Sequence, residues 1–288
     1  MYRDIGRTAS LVPALYVVAT PIGNLEDITL RAIRALNEVG LIAAEDTRRT
    51  RVLLNAYGIK TALTSYHEHN KKAKLGYLLD CLQSRDLALV SEAGMPGVSD
   101  PGYELIVAAA QQDIRVIPIP GPSAVVTALA VAALPTNRFT YLGFLPKKKA
   151  ERIRFLGSIA HEQGTIVAFE SPHRLLSSLS DMAQVLGNRR IAIARELTKI
   201  HEEVFRGTIQ EAMEYFQQPR GEFTLVIEGK KEEAEESLLT PKIEKELRSL
   251  IDKGIAVKEI VARLSPTTGL SRKELYQACL KLKSNRGL

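Results

Sequence analysis

Several features of secreted and membrane proteins are missing from this sequence. It has only two cysteines, Cys81 and Cys279, which are too few for a disulfide framework and favour a reducing compartment. No apolar run reaches the roughly 18 residues that a membrane-spanning helix requires. Residues 1–7 lack the apolar core of a signal peptide. These absences predict a cytoplasmic protein that does not enter a membrane.

Two classes of cofactor are also poorly supported. The five histidines, which include His67 and His69, have no cysteines nearby at the spacing of metal ligands, so we expect no metal site. The segment Thr20–Asp27, after the first apolar run, has a single glycine and lacks the G-x-G-x-x-G fingerprint that binds a dinucleotide phosphate. A nicotinamide-dependent enzyme is therefore disfavoured.

The composition is that of a globular protein with an excess of positive charge. Hydrophobic residues make up 45% and charged residues 25% of the 288 residues. This length exceeds that of one ordinary hydrophobic core and predicts two or three domains. The net charge of +6 is compatible with a nucleic-acid partner, although many basic proteins bind none.

The pattern of apolar segments predicts two successive α/β domains. Over residues 14–122, five apolar strands alternate with helices, which is typical of a parallel doubly wound sheet. Strands and helices also alternate over residues 123–229. There, Ile191–Arg195 and Glu203–Arg206 are close enough in sequence to form a hairpin, so this second sheet is expected to be mixed. The charged segment 230–237 is expected to be a linker.

A small helical unit is predicted over residues 238–288. Three short helices are separated by turns, the second turn lies at Ser265–Gly269, and Ser271 begins a capping box for the last helix. This arrangement resembles a helix-turn-helix module. Arg272 and Lys273 would project from the start of the last helix and contact nucleic acid. The alternative is a structural appendage with a solvated basic face.

The loop Ser91–Gly102 is the strongest candidate for a binding site. It follows the apolar strand Leu87–Val90, and open α/β sheets bind ligands at the carboxyl ends of their strands. Its glycines let the backbone approach a ligand, and it has two carboxylates, Glu92 and Asp100, but no lysine or arginine. A pyrophosphate would bind poorly there, whereas a ligand with hydroxyls, an adenine and a positive centre fits. We expect Glu92 to accept hydrogen bonds from ribose hydroxyls and Asp100 to cap the following helix.

Two further loops follow apolar strands of the first domain. In Thr20–Asp27, the carboxylate of Asp27 is expected to cap the next helix. Pro120–Pro122 forms a rigid loop that would close one side of a cleft between the two sheets. Ser123 is expected either to cap the helix that follows or to contact a ligand.

Six blocks along the chain match those of a known family. They are Val18–Asp27, Ala44–Arg48, Ser91–Gly102, Pro120–Ser123, Phe169–Arg174 and Ala194–Lys199. Their order and sequence resemble the tetrapyrrole methylase superfamily and, within it, the bacterial enzymes that methylate a ribose 2′-hydroxyl of small-subunit rRNA. The resemblance implies two α/β domains with S-adenosylmethionine in the cleft between them, and a homodimer.

The resemblance also implies which residues hold the cofactor. Its positive sulfonium and its polar ribose agree with the acidic, glycine-rich loop described above. The expected cofactor contacts are Pro21, Gly23, Ser91, Glu92, Ala93, Gly94, Met95, Ser123 and Phe169.

The reaction implied by the resemblance is the in-line transfer of a methyl group to the 2′-hydroxyl of a cytidine in the decoding region of 16S rRNA. It needs a general base or a cation beside the nascent alkoxide. The catalytic candidates are Glu170, Arg195, Glu196 and Lys199, with Glu45 and Asp46 as further acids from the first domain. The identity of the base stays open, because a salt bridge explains each acid equally well and a phosphate contact explains each cation.

Basic residues are the expected contacts with RNA. Lys147 and Lys148 begin a predicted helix, where lysine opposes the helix dipole, and this favours a phosphate contact over a merely solvated surface. The expected substrate-binding residues are Arg48, Lys147, Lys148, His173, Arg174, Arg272 and Lys273. The expected partner is small-subunit rRNA within the assembled 30S subunit.

Two other functions stay open from the sequence. A tetrapyrrole methyltransferase is disfavoured, because such enzymes have a glycine-rich first loop and a Gly-Asp-Pro in the second, where this chain has Pro21–Asn24 and Glu92–Pro96. The other alternative is a non-catalytic RNA-binding factor for ribosome assembly that keeps the cofactor fold. It predicts that changes in the cleft which abolish cofactor binding are tolerated.

Overall fold

The computed structural model describes residues 12–231 and 240–284. The chain divides into two compact units, Met1–Lys230 and Lys231–Leu288. Residues 232–239 are outside the described ranges, and so is most of the expected linker at 230–237. Among the residues that are described, no helix is long and apolar enough to cross a membrane.

The first unit begins with a five-stranded parallel sheet. Its elements in chain order are β1 (Ala14–Val18), α1 (Leu30–Glu38), β2 (Leu41–Ala44), α2 (Thr47–Ala56), β3 (Leu63–Ser65), α3 (Lys71–Leu82), β4 (Leu87–Val90), α4 (Tyr103–Gln111) and β5 (Arg115–Ile119). The strand order is β3-β2-β4-β1-β5, and all neighbours are parallel. The predicted doubly wound parallel sheet is confirmed.

Helices cover both faces of this sheet because its central strands are apolar on both sides. Ile42 and Ala88 face α1 and α2, whereas Leu41 and Leu87 face α3 and α4. Neighbouring residues of a strand point to opposite faces, so a continuous apolar run is what a doubly covered strand requires. Because the strands are parallel, the loops after β1, β2 and β4 all leave the sheet at the carboxyl ends of its strands.

The remainder of the first unit contains a five-stranded mixed sheet. Its elements are α5 (Ala124–Val131), β6 (Phe139–Phe144), α6 (Lys149–Ser158), β7 (Thr165–Glu170), α7 (Leu175–Leu186), β8 (Arg190–Arg195), β9 (Glu203–Thr208), α8 (Ile209–Tyr215) and β10 (Phe223–Ile227). The strand order is β6-β7-β10-β8-β9. Only the β6–β7 pair is parallel among these strands. Both the mixed sheet and the β8–β9 hairpin are confirmed.

The two faces of the mixed sheet pack against different partners. Helices α6, α7 and α8 cover the face that carries Ile166 and Ala168. Helix α5 covers the opposite face, which carries Val167 and Val226. Ile22, from the loop after β1, also packs against this second face. A loop of the first sheet thus contacts the core of the second.

The second unit consists of three helices with an apolar core of their own. They are α9 (Pro241–Asp252), α10 (Val257–Thr268) and α11 (Arg272–Ser284). Leu247, Ile260 and Leu275, one from each helix, are buried together. The predicted capping box is confirmed, because Glu274 Oε2 accepts the N–H of Ser271 while Ser271 Oγ accepts the N–H of Glu274.

One helix boundary in this unit differs from the prediction. Helix α10 continues through the expected turn at Ser265–Gly269 and has Pro266 in its last turn. Proline removes one N–H from the helix, but the hydroxyl of Thr268 donates to the Leu264 carbonyl at 2.7 Å and helps to close that turn. The helix ends at Gly269, whose φ of +70° suits a left-handed cap.

Two predicted helix caps are also corrected. Thr29 caps α1 through its Oγ1, because Asp27 belongs to a short 3₁₀ turn that precedes the helix. Asp100 is not the N-cap residue of α4, a position that Gly102 occupies. The Asp100 carboxylate instead accepts the N–H groups of Gly97 and Gly102, at 2.6 and 3.0 Å, and so holds the loop in its turn.

Candidate active site

The loops after β1 and β4 are joined directly to each other. The backbone of Thr20 donates to the Gly94 carbonyl at 2.9 Å, and the Gly94 N–H donates to the Thr20 carbonyl at 3.0 Å. Gly94 has a φ of +83°, a conformation that strongly favours glycine. Ser91 is buried, and its hydroxyl lies 3.3 Å from the Gly94 carbonyl. Ser91 and Gly94, predicted as cofactor contacts, therefore use their polar groups to hold this side of the cleft together.

The opposite side of the cleft is the segment that follows β8. A Cβ atom at Gly23 would lie 2.7 Å from Thr198 Oγ1 and 2.8 Å from the Leu197 carbonyl oxygen. The absence of a side chain at Gly23 is therefore what allows the loop after β1 to touch the segment after β8. Position 23 therefore needs a glycine because the loops of the two sheets are in contact there.

The segment after β8 has an unusual backbone. Glu196 has a φ of 51° and Thr198 a φ of 66°, both in the left-handed region, which costs of order 1–3 kcal/mol for each such residue. Hydrogen bonds hold this conformation: the Thr198 N–H donates to Glu202 Oε2 at 2.6 Å, and the Lys199 N–H donates to the Glu196 carbonyl at 3.0 Å. Strained backbone of this kind is often found at functional sites.

This segment directs Lys199 into the cleft between two carboxylates. Its Nζ donates to Glu196 Oε1 and to Glu222 Oε2, each at 2.9 Å. Burial opposes the charge on Lys199, but the hydrogen bonds from the two carboxylates outweigh it, and the pKa of Lys199 is raised. Burial likewise acts to raise the pKa of Glu196, but its bonds with Lys199 and the Glu222 N–H lower it. Lys199 is therefore a fixed cation at neutral pH and does not act as a proton acceptor.

The cleft has residues of both sheets along its surface. They are Thr20, Pro21, Ile22, Gly23, Leu25, Arg49, Thr50, Leu53, Ser91, Glu92, Ala93, Lys199 and Glu222. The predicted cofactor contacts Pro21, Gly23, Ser91, Glu92 and Ala93 are thus brought together with the predicted catalytic residue Lys199. Sequence reasoning missed Arg49 and Glu222, which lie outside the matched blocks.

Glu92 is paired in this structure. Its carboxylate forms an ion pair with Arg49, and its N–H donates to Glu45 Oε2 at 3.0 Å. The pKa of Glu45 is raised, first by burial and also by the negative charges of Asp100 and Glu92. Both partners of the Glu92–Arg49 pair remain solvent-accessible, and such pairs contribute little stability, so a ligand can replace Arg49 at low cost. Asp46, the remaining acid, is the N-cap of α2.

Glu170 lies at the end of β7 and is buried. Its carboxylate accepts hydrogen bonds from the Ser171 N–H at 2.7 Å and from Ser178 Oγ at 2.6 Å, and pairs with Arg174 Nη2 at 2.7 Å. Arg174 also donates to the Leu145 carbonyl at 3.0 Å. These contacts favour the salt-bridge alternative for Glu170 and a loop-positioning role for Arg174.

Arg195 is likewise engaged within the second sheet. It donates to the Arg220 carbonyl at 2.7 Å and to Glu203 Oε2 at 3.1 Å. These contacts favour a structural role. Of the four catalytic candidates, Lys199 lines the cleft, and Glu196 forms an ion pair with Lys199. Glu170 and Arg195 are instead bound to neighbouring residues in or next to the second sheet.

Four predicted cofactor contacts do not line the cleft: Gly94, whose backbone bonds to Thr20 as described above, and Met95, Ser123 and Phe169. Met95 packs against the core between the first sheet and α3 and α4. Ser123 occupies the N-cap position of α5, as expected, but its side chain makes no capping hydrogen bond. The ring of Phe169 lies 5.3 Å from that of Tyr141 and 5.5 Å from that of Phe144.

The remaining predicted substrate contacts are basic residues on the surface. Arg48 is 90% exposed and makes a 3.4 Å ion pair with Asp46. Lys147, Lys148 and His173 are exposed on the loops that follow β6 and β7. Arg272 and Lys273 are exposed at the start of α11 in the second unit.

The buried pair Arg152–Asp181 fixes the lysine-bearing loop. Arg152 Nη2 lies 2.6 Å from Asp181 Oδ2, and Arg152 Nη1 donates to the carbonyls of Pro146 and Lys147, both at 3.2 Å. The lysines after β6 are therefore held on an ordered backbone next to the second sheet.

Comparison with known proteins identifies the class to which this fold and cleft belong. The family model of the tetrapyrrole (corrin/porphyrin) methylases matches residues 14–213. The chain belongs to the tetrapyrrole methylase family. Cobalt precorrin-4 methyltransferase has the same fold, with a TM-score of 0.58 at 17% identity over 76% of this chain and 98% of that chain. Diphthine synthase is comparable, with a TM-score of 0.59 at 13% identity over 76% and 90% of the two chains.

Relatives of much higher identity share one particular name. Ribosomal RNA small subunit methyltransferase I of Halalkalibacterium halodurans is 47% identical over 271 residues, 91% of this chain and 93% of that protein. The protein of that name from Synechocystis sp. is 47% identical over 94% of this chain and 99% of its own length. That from Thermotoga maritima is 50% identical over 219 residues, 75% of this chain but 98% of its own.

Proposed function

We propose that this chain is an S-adenosylmethionine-dependent methyltransferase that acts on the ribose 2′-hydroxyl of a cytidine in the decoding region of 16S rRNA. The single observation that carries the proposal is the placement of a charge-fixed Lys199 opposite the glycine-containing, acidic side of the cleft. The names of relatives that match almost the full chain support rRNA as the substrate and disfavour a tetrapyrrole.

The chemistry of the cleft fits the proposed cofactor. Its two cations, Arg49 and Lys199, each have carboxylate partners, so the cleft does not offer the excess positive charge that a pyrophosphate would need. Leu25 and Leu53 supply apolar surface for an adenine. The exposed carboxylate of Glu92 suits ribose hydroxyls or a positive sulfonium.

Each side of the cleft has a distinct task in this proposal. When bound, the cofactor supplies an electrophilic methyl group. The chain positions the acceptor, whose 2′-hydroxyl loses its proton to solvent as its oxygen takes the methyl group. Lys199 stabilises the negative charge that develops on this oxygen or holds an adjacent phosphate. The direct contact of Gly23 with the Leu197–Lys199 segment keeps water out between the two loops.

RNA binding is assigned to basic surface residues in both units. Arg48, Lys147, Lys148 and His173 of the first unit would contact phosphates, which position RNA without reading its sequence. The family model ends at residue 213, before the second unit begins, which supports an accessory role for that unit. There, Arg272 and Lys273 would add affinity for RNA.

The domain limits, partners and location belong to the same proposal. Residues 14–122 and 123–229 would form the two cleft domains, and 238–288 the appended RNA-binding module. The protein would act as a cytoplasmic homodimer on rRNA in the assembled 30S subunit, as the family resemblance implies.

One experiment compares the three candidate acceptors. The protein is incubated with methyl-labelled cofactor and either assembled small subunits, free 16S rRNA or a tetrapyrrole precursor. We expect label in the small subunits. Label in the tetrapyrrole alone would refute the proposal, and cofactor binding without any transfer would favour the non-catalytic assembly factor.

A further inference from the structure

The end of β6 departs from regular strand pairing. Phe139 to Tyr141 pair with Thr165 to Val167, so regular pairing would set Gly143 against Phe169. The structure instead pairs Phe144 with Phe169, which means that β6 has one extra residue. Gly143, with a φ of +67°, takes up the extra residue as a β-bulge.

The bulge changes the direction in which Phe144 points. Without it, alternation would put Phe144 on the same face as Leu142, which packs against the core beneath α6 and α7. With it, Phe144 shares the face of Phe169, and their rings lie 5.5 Å apart at 60°. Phe144 is nevertheless 60% exposed. The chain therefore moves an aromatic ring out of a core and onto an accessible edge of the sheet, which is a frequent use of bulges near active sites.

The strand that carries Phe144 contacts the loop Ser91–Gly102, which forms one side of the cleft. Gly143, next to Phe144, approaches Ser99, since a Cβ there would lie 3.1 Å from Ser99 Oγ. The hydroxyl groups of Tyr141 and Ser99 are also 3.1 Å apart. Ser99 belongs to the same loop as Glu92 and therefore connects the aromatic residues with the side of the cleft.

Three lysines follow Phe144 in the chain, after Leu145 and Pro146. Lys147, Lys148 and Lys149 are all exposed, and Glu151 pairs with Lys148 at 3.1 Å. The hydrogen bonds from Arg152 hold the backbone of this run in place. An exposed aromatic ring beside fixed lysines is the combination with which proteins bind unpaired nucleotides, because bases stack on the ring while phosphates contact the cations.

We propose that Phe144 stacks against an unpaired base of the RNA substrate, while Lys147 and Lys148 contact the phosphates beside that base. This inference rests on the proposed function and adds that the substrate is held as single-stranded RNA at this edge. Phe144 lies outside the six matched blocks, so the family resemblance implies no binding role for it.

Stacking is tested with a fluorescent base. A single-stranded oligoribonucleotide that contains 2-aminopurine is titrated with the full-length protein, because stacking on an aromatic ring quenches this base. Wild type and Phe144→Tyr should quench it, and Phe144→Leu, which keeps an apolar contact with Phe169, should not. Phe139→Ala is the matched control, since Phe139 begins the same strand and is 44% exposed. It should quench as the wild type does.

The salt dependence of RNA affinity distinguishes base stacking on Phe144 from phosphate contacts with Lys147 and Lys148. Phe144→Leu should weaken RNA binding at least about fivefold at every salt concentration, because stacking releases no counterions. The double variant Lys147→Gln/Lys148→Gln should instead reduce the steepness with which affinity falls as salt rises. Cofactor affinity should stay unchanged in all variants.

Three results would overturn the stacking proposal directly: the wild type does not quench the base, Phe144→Leu quenches it as much as the wild type does, or Phe139→Ala loses as much quenching as Phe144→Leu. A fourth is the conversion of an oligomer to monomers by Phe144→Leu, because this surface would then be a contact between copies of the chain. None of these readouts requires methyl transfer. Failure of the wild type to methylate small subunits would therefore refute the proposed function separately.

Discussion

Gly23 and Lys199 are in contact across the cleft, with no room for another carbon between them. A Cβ atom at position 23 would lie 2.5 Å from Cγ of Lys199, a distance that real Cβ atoms essentially never show. The loop after β1 in the first sheet therefore determines how far Lys199, from the segment after β8, enters the cleft.

Gly23→Ala is expected to displace Lys199 and to lower kcat by up to about a hundredfold, because misplacement by roughly 1 Å has effects of this size. The measurement is kcat for methyl transfer to small subunits. Gly76→Ala is the matched control: it lies within α3 and its Cβ would meet no atom within 4 Å. It should keep full kcat and stabilise the fold by about 0.5–1 kcal/mol. Full activity of Gly23→Ala would contradict this role of the contact.

Glu222→Gln is expected to move the alkaline limb of the kcat–pH profile to lower pH. Glu196 and Glu222 together raise the pKa of Lys199. A group with a raised pKa stays charged at neutral pH and loses its charge only as the pH rises through that pKa. Removing one carboxylate lowers the pKa, so the charge is lost earlier. The comparison uses Glu214→Gln, an exposed acid of α8, as control. An unchanged limb in Glu222→Gln would show that the charge of Lys199 does not limit the rate.

Glu170→Gln is expected to destabilise the fold by about 3 kcal/mol, the lower end of the range for breaking a buried pair, because Arg174 keeps some contact with solvent. Thermal or denaturant unfolding measures this. Glu92→Gln should cost less than about 1 kcal/mol, since its pair with Arg49 is exposed, but should weaken cofactor binding. A Glu170→Gln protein of full stability and no activity would instead support a catalytic role for Glu170.

A chain that ends at Lys230 is expected to bind the cofactor as tightly as the full chain, because it retains every residue that lines the cleft. It should show a higher KM for small subunits through loss of Arg272 and Lys273. Isothermal titration and steady-state kinetics measure the two quantities. Equal loss of cofactor affinity and RNA affinity would mean that the second unit supports the fold of the first.

Local patterns were sufficient to predict most of the fold. Apolar runs separated by helices predicted both sheets, and the short spacing between β8 and β9 predicted their hairpin. The error at Pro266 had a local cause, because a proline and a glycine close together also occur in turns. Here the helix continues to the glycine, and the Thr268 hydroxyl helps to close its last turn.

The pairing of charged residues was not predictable from local sequence. Arg49 is far from Glu92 in the chain, and Glu222 is far from Lys199, so only the folded structure shows that they meet. The same holds for Gly23, whose need for a small side chain comes from a contact with a distant loop. Phe144 was missed because a one-residue bulge reverses the face that simple alternation assigns to it.

The proposed ribose methylation is tested by identifying the nucleoside that receives the label. Small subunits that have reacted with methyl-labelled cofactor and this protein are digested to nucleosides and separated by chromatography. We expect the label to appear as 2′-O-methylcytidine with the wild type and to be strongly reduced with Lys199→Met. Label on a base, label in another nucleoside, or full transfer by Lys199→Met would contradict the proposal.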